Sequence, residues 1–563
     1  MELRGKSKRP TIMRSTLLKT AFLAGLAGSA QAQTNWTGNA SQDWTDAANW
    51  SSGVPGINSR ATVNVATGNF PQITTAVNKS ATVGGNDFWI GNGTGTSGRL
   101  DINNGGSLNT NAAWMFVGNG GGSGTFNVNS GGSYSSDNDV RFGAGTINVN
   151  GGTFTAGRIV GSTGQLNVIG AGSLTTTNAG TSNGSPDLQN LAVSSFTGSI
   201  SAARNANFRN GTTSDMSAGS ITTLGGGEIR IGNGGTHTFT QTGGSISTAS
   251  WMVVGISAGG NGTFNLDGGS VTSAAVNTGA FSTIGAGGGT GTVNQSAGTW
   301  TDGNKTLLGE NAGGTGTYNL NGGTLATGRV ETGPGTGNLS LNGGVLKALR
   351  NEGNFISANT TVNVQSGGAR IDTNGFNVTA AANLTGTGAL EKQGAGTLTL
   401  SGNGNSVGSV SVSAGTLYVT GALTSSGTIS ITGTGSIGSG DAGSGITGSI
   451  AIAEGGTLDI SQGLLTLGSG ATLSFGGFDF NDVVGFDVNT AALGLHNLVL
   501  GDFTLNTANL AHFGEGNALE LGGGRSAYFT EGSLAVMIVP EPGVALLGSL
   551  GLLALLRRRR AAC

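Results

Sequence analysis

Residues 254–273 read VGISAGGNGTFNLDGGSVTS. Val254-Gly255 ends one apolar run. Phe264 and Leu266 share one parity of the second run, and Asn265 takes the other, which is the period of two of a half-buried strand. Ser270-Val271-Thr272 follows an Asp-Gly-Gly corner. Gly, Asn and Asp are the residues that accept positive φ, so the glycine clusters read as tight corners between three strands of four or five residues.

The same frame recurs as VGNGGGSGTFNVNSGGSYSS at 117–136, IGAGGGTGTVNQSAGTWTD at 284–302 and LGENAGGTGTYNLNGGTLAT at 308–327. Phe239, Phe264, Val293 and Tyr318 are equivalent apolar positions, spaced 25, 29 and 25 residues apart. Phe126, Ile147 and Leu166 are spaced 21 and 19. A three-strand unit cannot bury its inward row alone, whereas stacked units build a continuous core and continuous backbone ladders. The expected fold is all-β, a parallel β-helix of about 20 coils at roughly 22 residues each and about 4.8 Å per coil. Phe264 is expected inward and Asn265 outward. A propeller or sandwich would need longer strands and fewer glycines.

Glycine is 110 of 563 residues, without the every-third-residue period and high proline of collagen. The chain has a single cysteine, Cys563, so no disulfide framework supports the body. Between residues 33 and 540 lie 15 Lys and Arg against 26 Asp and Glu, a formal charge of −11. Such a surface repels nucleic acid, and acidic polysaccharide too except at a local basic patch.

The two ends are different material. Arg4, Lys6, Lys8, Arg9, Arg14 and Lys19 precede the short apolar stretch 21–28, and Ala30-Gln31-Ala32 supplies small residues at the positions a signal peptidase reads. This predicts a secretory signal over 1–32, cleaved before Gln33, with Met1 or Met13 as the start. At the other end Val539, Pro540, Glu541 and Pro542 precede an apolar stretch, 544–556, and then Arg557, Arg558, Arg559 and Arg560. Thirteen helical residues rise only about 20 Å, short of the roughly 30 Å hydrocarbon core, which suits a transient membrane stop. This three-part order resembles the PEP-CTERM sorting signal of Gram-negative bacteria that make exopolysaccharide. The resemblance implies recognition of Val539–Pro542 by an exosortase-type membrane processing enzyme, a transient anchor over 544–556 and cytoplasmic retention by the four arginines. It places the protein outside the cell, on the outer surface or in the extracellular matrix.

From residue 382 the texture changes. Gly388, Leu390, Lys392, Gly394, Gly396, Thr397, Leu398, Leu400 and Gly402 resemble the autotransporter-associated β-strand repeat, which implies a piece of β-helical stalk. Its usual Asn-Thr-Tyr continuation is degraded to Asn403-Gly404-Asn405. Trp36, Trp44 and Trp50 make a compact block, read as an end cap or as a glycan contact. The expected organisation is therefore signal peptide 1–32, Trp-rich cap 33–75, Gly/Asn-rich repeats 76–380, autotransporter-associated repeats 381–480, cap and tether 481–538 and sorting signal 539–563.

Catalytic chemistry needs a converging set of groups, and the repeats offer none in sequence. His237, His496 and His512 lack a metal-ligand spacing. His237 is expected outward and solvated. Asp267, Asp302 and Asp372 are expected singly at corners, capping turns. GGNDFWIGNG at 84–93 is one Gly-rich piece without a tandem calcium series. No cofactor, metal or catalytic residue is assigned. The expected function is a non-enzymatic exported stalk or adhesin associated with exopolysaccharide; the alternative is a secreted polysaccharide-active β-helix enzyme.

Overall fold

The computed structural model describes residues 33–79, 86–161, 163–177, 188–209, 212–273, 281–439, 445–461, 464–530 and 534–540, together with Leu550, Leu552 and Leu553. The chain forms a parallel β-solenoid of about 17 turns. One coil illustrates it. Met252–Ile256 lies on a first face (A), Asn261–Leu266 on a second (B) and Ser270–Ser273 on a third (C), after which Ser282–Ala286 returns to face A. Each strand pairs in parallel with its equivalent one coil away: Val254 opposite Ile231 and Ile284, Phe264 opposite Phe239 and Val293, Val271 opposite Ile246 and Trp300. The turn count falls below the expected 20 because many corners carry extra residues; the step from Phe264 to Val293 takes 29 residues.

The inward rows follow the alternation. Phe239, Phe264, Val293 and Tyr318 are all buried and stack in one column, as do Phe126, Ile147 and Leu166. Phe264 meets Phe239 at 5.7 Å and Trp300 edge-on at 5.5 Å between ring centroids. Two glycines of this coil let the column close. Gly255 has φ +72°, and a Cβ there would run into the backbone of Thr290. Gly262 opens face B, and its Cβ would strike the Ile231 carbonyl and the Gly255 amide. The recurring pair Φ-Gly and Gly-Thr is thus one interlocked corner, in which backbones touch where side chains cannot fit.

Face B is polar outside. Asn319 Nδ2 donates to Asn294 Oδ1 at 2.8 Å, Asn294 to Asn265 at 2.9 Å and Asn265 to Thr240 Oγ1 at 3.3 Å. A second run joins Asn167, Asn148, Asn127 and Asp101 with the same polarity. Each amide donates toward the N-terminal coil and accepts from the next, so the ladder ties neighbouring coils through side chains as well as backbone. Asn294→Ala removes two rungs and is expected to cost about 1–2 kcal/mol in urea melts, since a net hydrogen bond contributes about 1 kcal/mol. Thr272→Ala, exposed on face C, is expected to cost under about 0.5 kcal/mol. Equal midpoints for the two variants would show that the ladder adds no stability.

The autotransporter-like segment continues the same helix with longer strands. Val410–Val419 and Ile429–Ser439 each bend round a corner, serving faces C and A in succession. Leu390, Lys392, Leu398 and Leu400 point inward. Lys392 is fully buried, and its ammonium donates to the carbonyls of Gln393, Gly394 and Ala414 at 3.0, 2.6 and 3.0 Å. The motif lysine is therefore a corner staple, and burial lowers its pKa to about 8.

Each end closes differently. Trp36, Trp44 and Trp50 are buried and pack edge-to-face, with centroids 5.1 Å apart (Trp36–Trp50) and 4.7 Å apart (Trp44–Trp50). Trp44 also meets Phe88 of the core at 5.7 Å. At the far end Val499–Leu505 still pairs in parallel with Leu465–Phe475. A four-stranded antiparallel sheet closes this end, in the order Gly494–Asn497, Ala535–Pro540, Arg525–Phe529 and Leu519–Gly522. Phe529 joins them to the last coils through Phe480 at 4.5 Å and Phe478 at 6.2 Å.

Val539 and Pro540 belong to this sheet, opposite Ser526 and Arg525. Val539 and Pro540, read from sequence as the start of the sorting signal, thus form a paired strand that crosses the expected boundary at 538, with Pro540 at its end, where a missing N–H is tolerated. The sequence-predicted Ala30, Ala32, Glu541, Pro542 and Arg557–Arg560 lie outside the described residues. Of the apolar stretch 544–556, Leu550, Leu552 and Leu553 are helical and exposed. Among the described residues no helix is long and apolar enough to cross a membrane.

Candidate interaction surface

The outward rows of the three faces differ chemically. From Ser97 to Leu341, face B carries mostly Thr, Asn and Ser outward, and face C from Ser107 to Thr327 carries almost only Ser and Thr. Face A carries most of the outward rings, while on face B the Arg99 guanidinium lies 4.1 Å over the Phe70 ring. Trp89 and Phe116 occupy one outward column on adjacent coils, stacked with centroids 6.2 Å apart and planes 19° apart. Trp114, 38% exposed, stands edge-on to Phe116 at 6.2 Å and donates its indole N–H to Asn138 Oδ1 at 2.9 Å. The Arg141 guanidinium lies 4.0 Å over the Trp114 ring. Further along, Trp251 and Phe281 stack at 4.8 Å, and Lys305 sits 4.8 Å over Phe281. Trp114 and Trp251 stand at the same position of their coils, the residue before the first inward side chain of face A.

Charges on this face converge across coils, as unlike pairs. Asp139, almost fully buried, accepts from Arg141 at 2.9 Å and from Arg158, one coil on, at 2.8 Å. Glu331 takes Lys305 at 3.2 Å and Arg329 at 2.7 Å. Glu352 takes Arg350 at 3.3 Å, with Arg329 at 3.8 Å. Such pairs add little stability where exposed. Their consequence is a surface of fixed, alternating charge.

Two surface grooves flank these groups. One, of about 500 Å³, lies where the corner after face A shortens from Asn119–Gly122 to Gly143–Ala144; Phe116, Arg141, Phe142 and Val160 line it. The other, of about 520 Å³, lies over the late coils of face A, lined by Thr379, Thr399, Tyr418 and Asp459.

The histidines and aspartates singled out by sequence are not brought together. His237 is buried inside face B, contrary to the outward position expected of it, with Nε2 3.0 Å from Ser214 Oγ. It shares the parity of Phe239 and takes the inward site that Gly262 fills in the next coil. Burial lowers its pKa to about 4. His496 and His512 lie in the C-terminal sheet region, against the carbonyls of Ala492 and Asn517. Asp267 accepts from Ser296, and Asp372 from the Asn374 amide at 2.8 Å, with Lys347 at 3.2 Å. Asp302 does cap its corner, but from within. It is fully buried; its Oδ2 accepts from the Ser282 amide at 2.9 Å, and desolvation pushes its pKa up to about 7. Among the described residues no three His, Cys, Asp or Glu side chains are grouped to hold a metal ion. The aromatic face was missed in sequence because its members are far apart in the chain.

Comparison with protein-family models gives no match, and comparison with curated proteins gives no significant match.

Proposed function

We propose that the chain is an exported structural solenoid, a stalk or matrix scaffold of the cell surface associated with exopolysaccharide and processed at its C-terminus by an exosortase-type enzyme. The observation that carries the reading is the unbroken solenoid of about 17 turns, closed at both ends by aromatic packing. At about 4.8 Å per coil it spans roughly 80 Å, a length useful for holding things apart. The basic–apolar–Ala-x-Ala start and the Pro-Glu-Pro–apolar–Arg₄ end supply export and sorting. Retention needs the arginines, because four adjacent charges resist passage through hydrocarbon.

The test is a variant with Arg557–Arg560 changed to serine in the producing cell. It is expected to escape into the medium with an unprocessed C-terminus, read by fractionation and intact mass. Unchanged retention together with an unchanged mature C-terminus would overturn the sorting reading.

A further inference from the structure

We infer that the outer surface of face C between Ser107 and Thr324 is an ice-binding face, a planar array of hydroxyls that holds an ordered layer of water and through it the surface of an ice crystal. The inference goes beyond the scaffold reading. Export brings this face to where ice forms, but purified protein holds ice or does not whatever its sorting.

The first observation is the pattern. Ten successive coils place a short strand on this face, from Ser107–Asn109 to Thr324–Thr327, each paired in parallel and in register with the next. Each strand turns one fully buried apolar side chain inward, from Leu108 to Leu325, between two outward positions. Eighteen of those twenty outward positions are Ser or Thr, the exceptions being Asn109 and Ala326. Ser133-Tyr134-Ser135 and Thr299-Trp300-Thr301 show the unit. The fold does not demand it. On the same face the next three coils turn Lys347, Arg370 and Glu391 outward, into ion pairs.

The second observation is that these hydroxyls are free. Among the described residues none of the eighteen takes part in a side-chain hydrogen bond. Face B is also rich in Thr, Ser and Asn, but it turns its polar groups on each other. Ser97 and Ser123 bond at 2.9 Å, the asparagine ladder joins coil to coil, and Arg99 pairs with Asp101. Face C leaves its donors and acceptors to whatever lies outside.

The third is spacing. Neighbouring strands lie about 4.8 Å apart, and outward residues two apart on one strand are separated by about 6.6 Å. The two hydroxyl columns therefore form a rectangular net about 43 Å long over its nine steps. The prism plane of hexagonal ice exposes its oxygens on a rectangular net whose repeats lie close to both spacings. A water lodged among the hydroxyls of two adjacent coils finds the several polar partners that fix a water in place. Carbohydrate is the poorer fit. Sugar faces are met by aromatic rings, and no outward position of the array carries one. A hydroxyl that exchanges water for sugar also gains little net free energy. Ordered water asks for no such exchange, and many weak contacts made at once hold the crystal.

The test freezes the purified protein slowly into a growing ice ball beside serum albumin, which ice excludes. The protein is expected to be enriched in the ice about tenfold or more over albumin, because its contacts act together. It is also expected to slow the recrystallisation of small ice crystals. Ser247→Tyr with Thr272→Tyr raises two adjacent rings above the middle of the net and is expected to abolish most of that enrichment. Thr222→Lys, a charged interruption of the same column, is expected to act in the same direction. Thr263→Tyr with Thr292→Tyr makes the matching change on face B and is expected to leave the enrichment as it was. Circular dichroism melts check that each variant is folded. Exclusion of the parent protein from ice, undiminished enrichment in the folded face C variants, or an equal loss in the face B variant would each overturn the inference. Retention on microcrystalline cellulose without entry into ice would do the same, by making the array a glycan surface. None of these results touches the sorting reading, which fails only in the fractionation experiment.

Discussion

Phe264→Ala is expected to destabilise the central coils by about 3–5 kcal/mol, because a fully buried phenylalanine is removed from a column that backbone contacts prevent from collapsing. Phe239 and Trp300 would lose their packing partner together. Each coil touches only its neighbours, so the loss is local in the first instance. Hydrogen exchange is expected to show lost protection over roughly residues 236–320, while the late coils around Leu398 and Leu417 keep theirs. Asn265→Ala, one residue on, removes only ladder bonds and is expected to cost about 1–2 kcal/mol. Equal losses for the two variants in urea melts would mean that the strand register is wrong.

Asp302→Asn is expected to raise stability at pH 8 and to remove a pH dependence that the parent chain carries. The carboxyl titrates near 3.8 when exposed and near 7 in the fold, because burial disfavours its charged form. A raised pKa means that the folded state binds the proton more tightly. Stability is therefore highest below about pH 4, falls as pH rises from about 4 to 7, and levels off above. A gap of about three units corresponds to a loss on the order of 4 kcal/mol across that window. The asparagine can still accept the Ser282 amide and carries no charge. His237 works in the opposite sense: its pKa is lowered to about 4, so its share of stability is present above about pH 6.5 and is lost as pH falls toward 4. The two slopes oppose each other in the parent, and Asp302→Asn is expected to unmask the histidine's as stability that rises with pH between 4 and 6.5. A pH profile of denaturation midpoints that is unchanged in Asp302→Asn would refute the assignment.

Alternation and repetition along the chain were enough to place Phe126, Phe239, Phe264 and Tyr318 inside, to make Asn265 outward, and to close each coil with Gly, Asn or Asp. Those features depend on neighbours two residues away or one repeat away, and both distances are visible in a string of letters. Parity also held where polarity argued against it. His237 follows Phe239 inward, and Asp302 follows Trp300, because a strand in a packed solenoid cannot turn one side chain out without turning out all of them. Their hydrogen-bond partners, Ser214 and Ser282, come from a neighbouring coil or the next face, so only the fold shows how burial is made tolerable. Val539 and Pro540 read as the start of the sorting signal; the long-range partner Arg525–Phe529 makes them a strand. Face A was the least legible of all. Trp89, Trp114 and Trp251 are isolated letters in three separate repeats, and the coils between them vary from 19 to 29 residues. Unequal corners erase any fixed spacing in sequence, while the backbone ladders restore it in space, because each strand must pair in register with the coil before it.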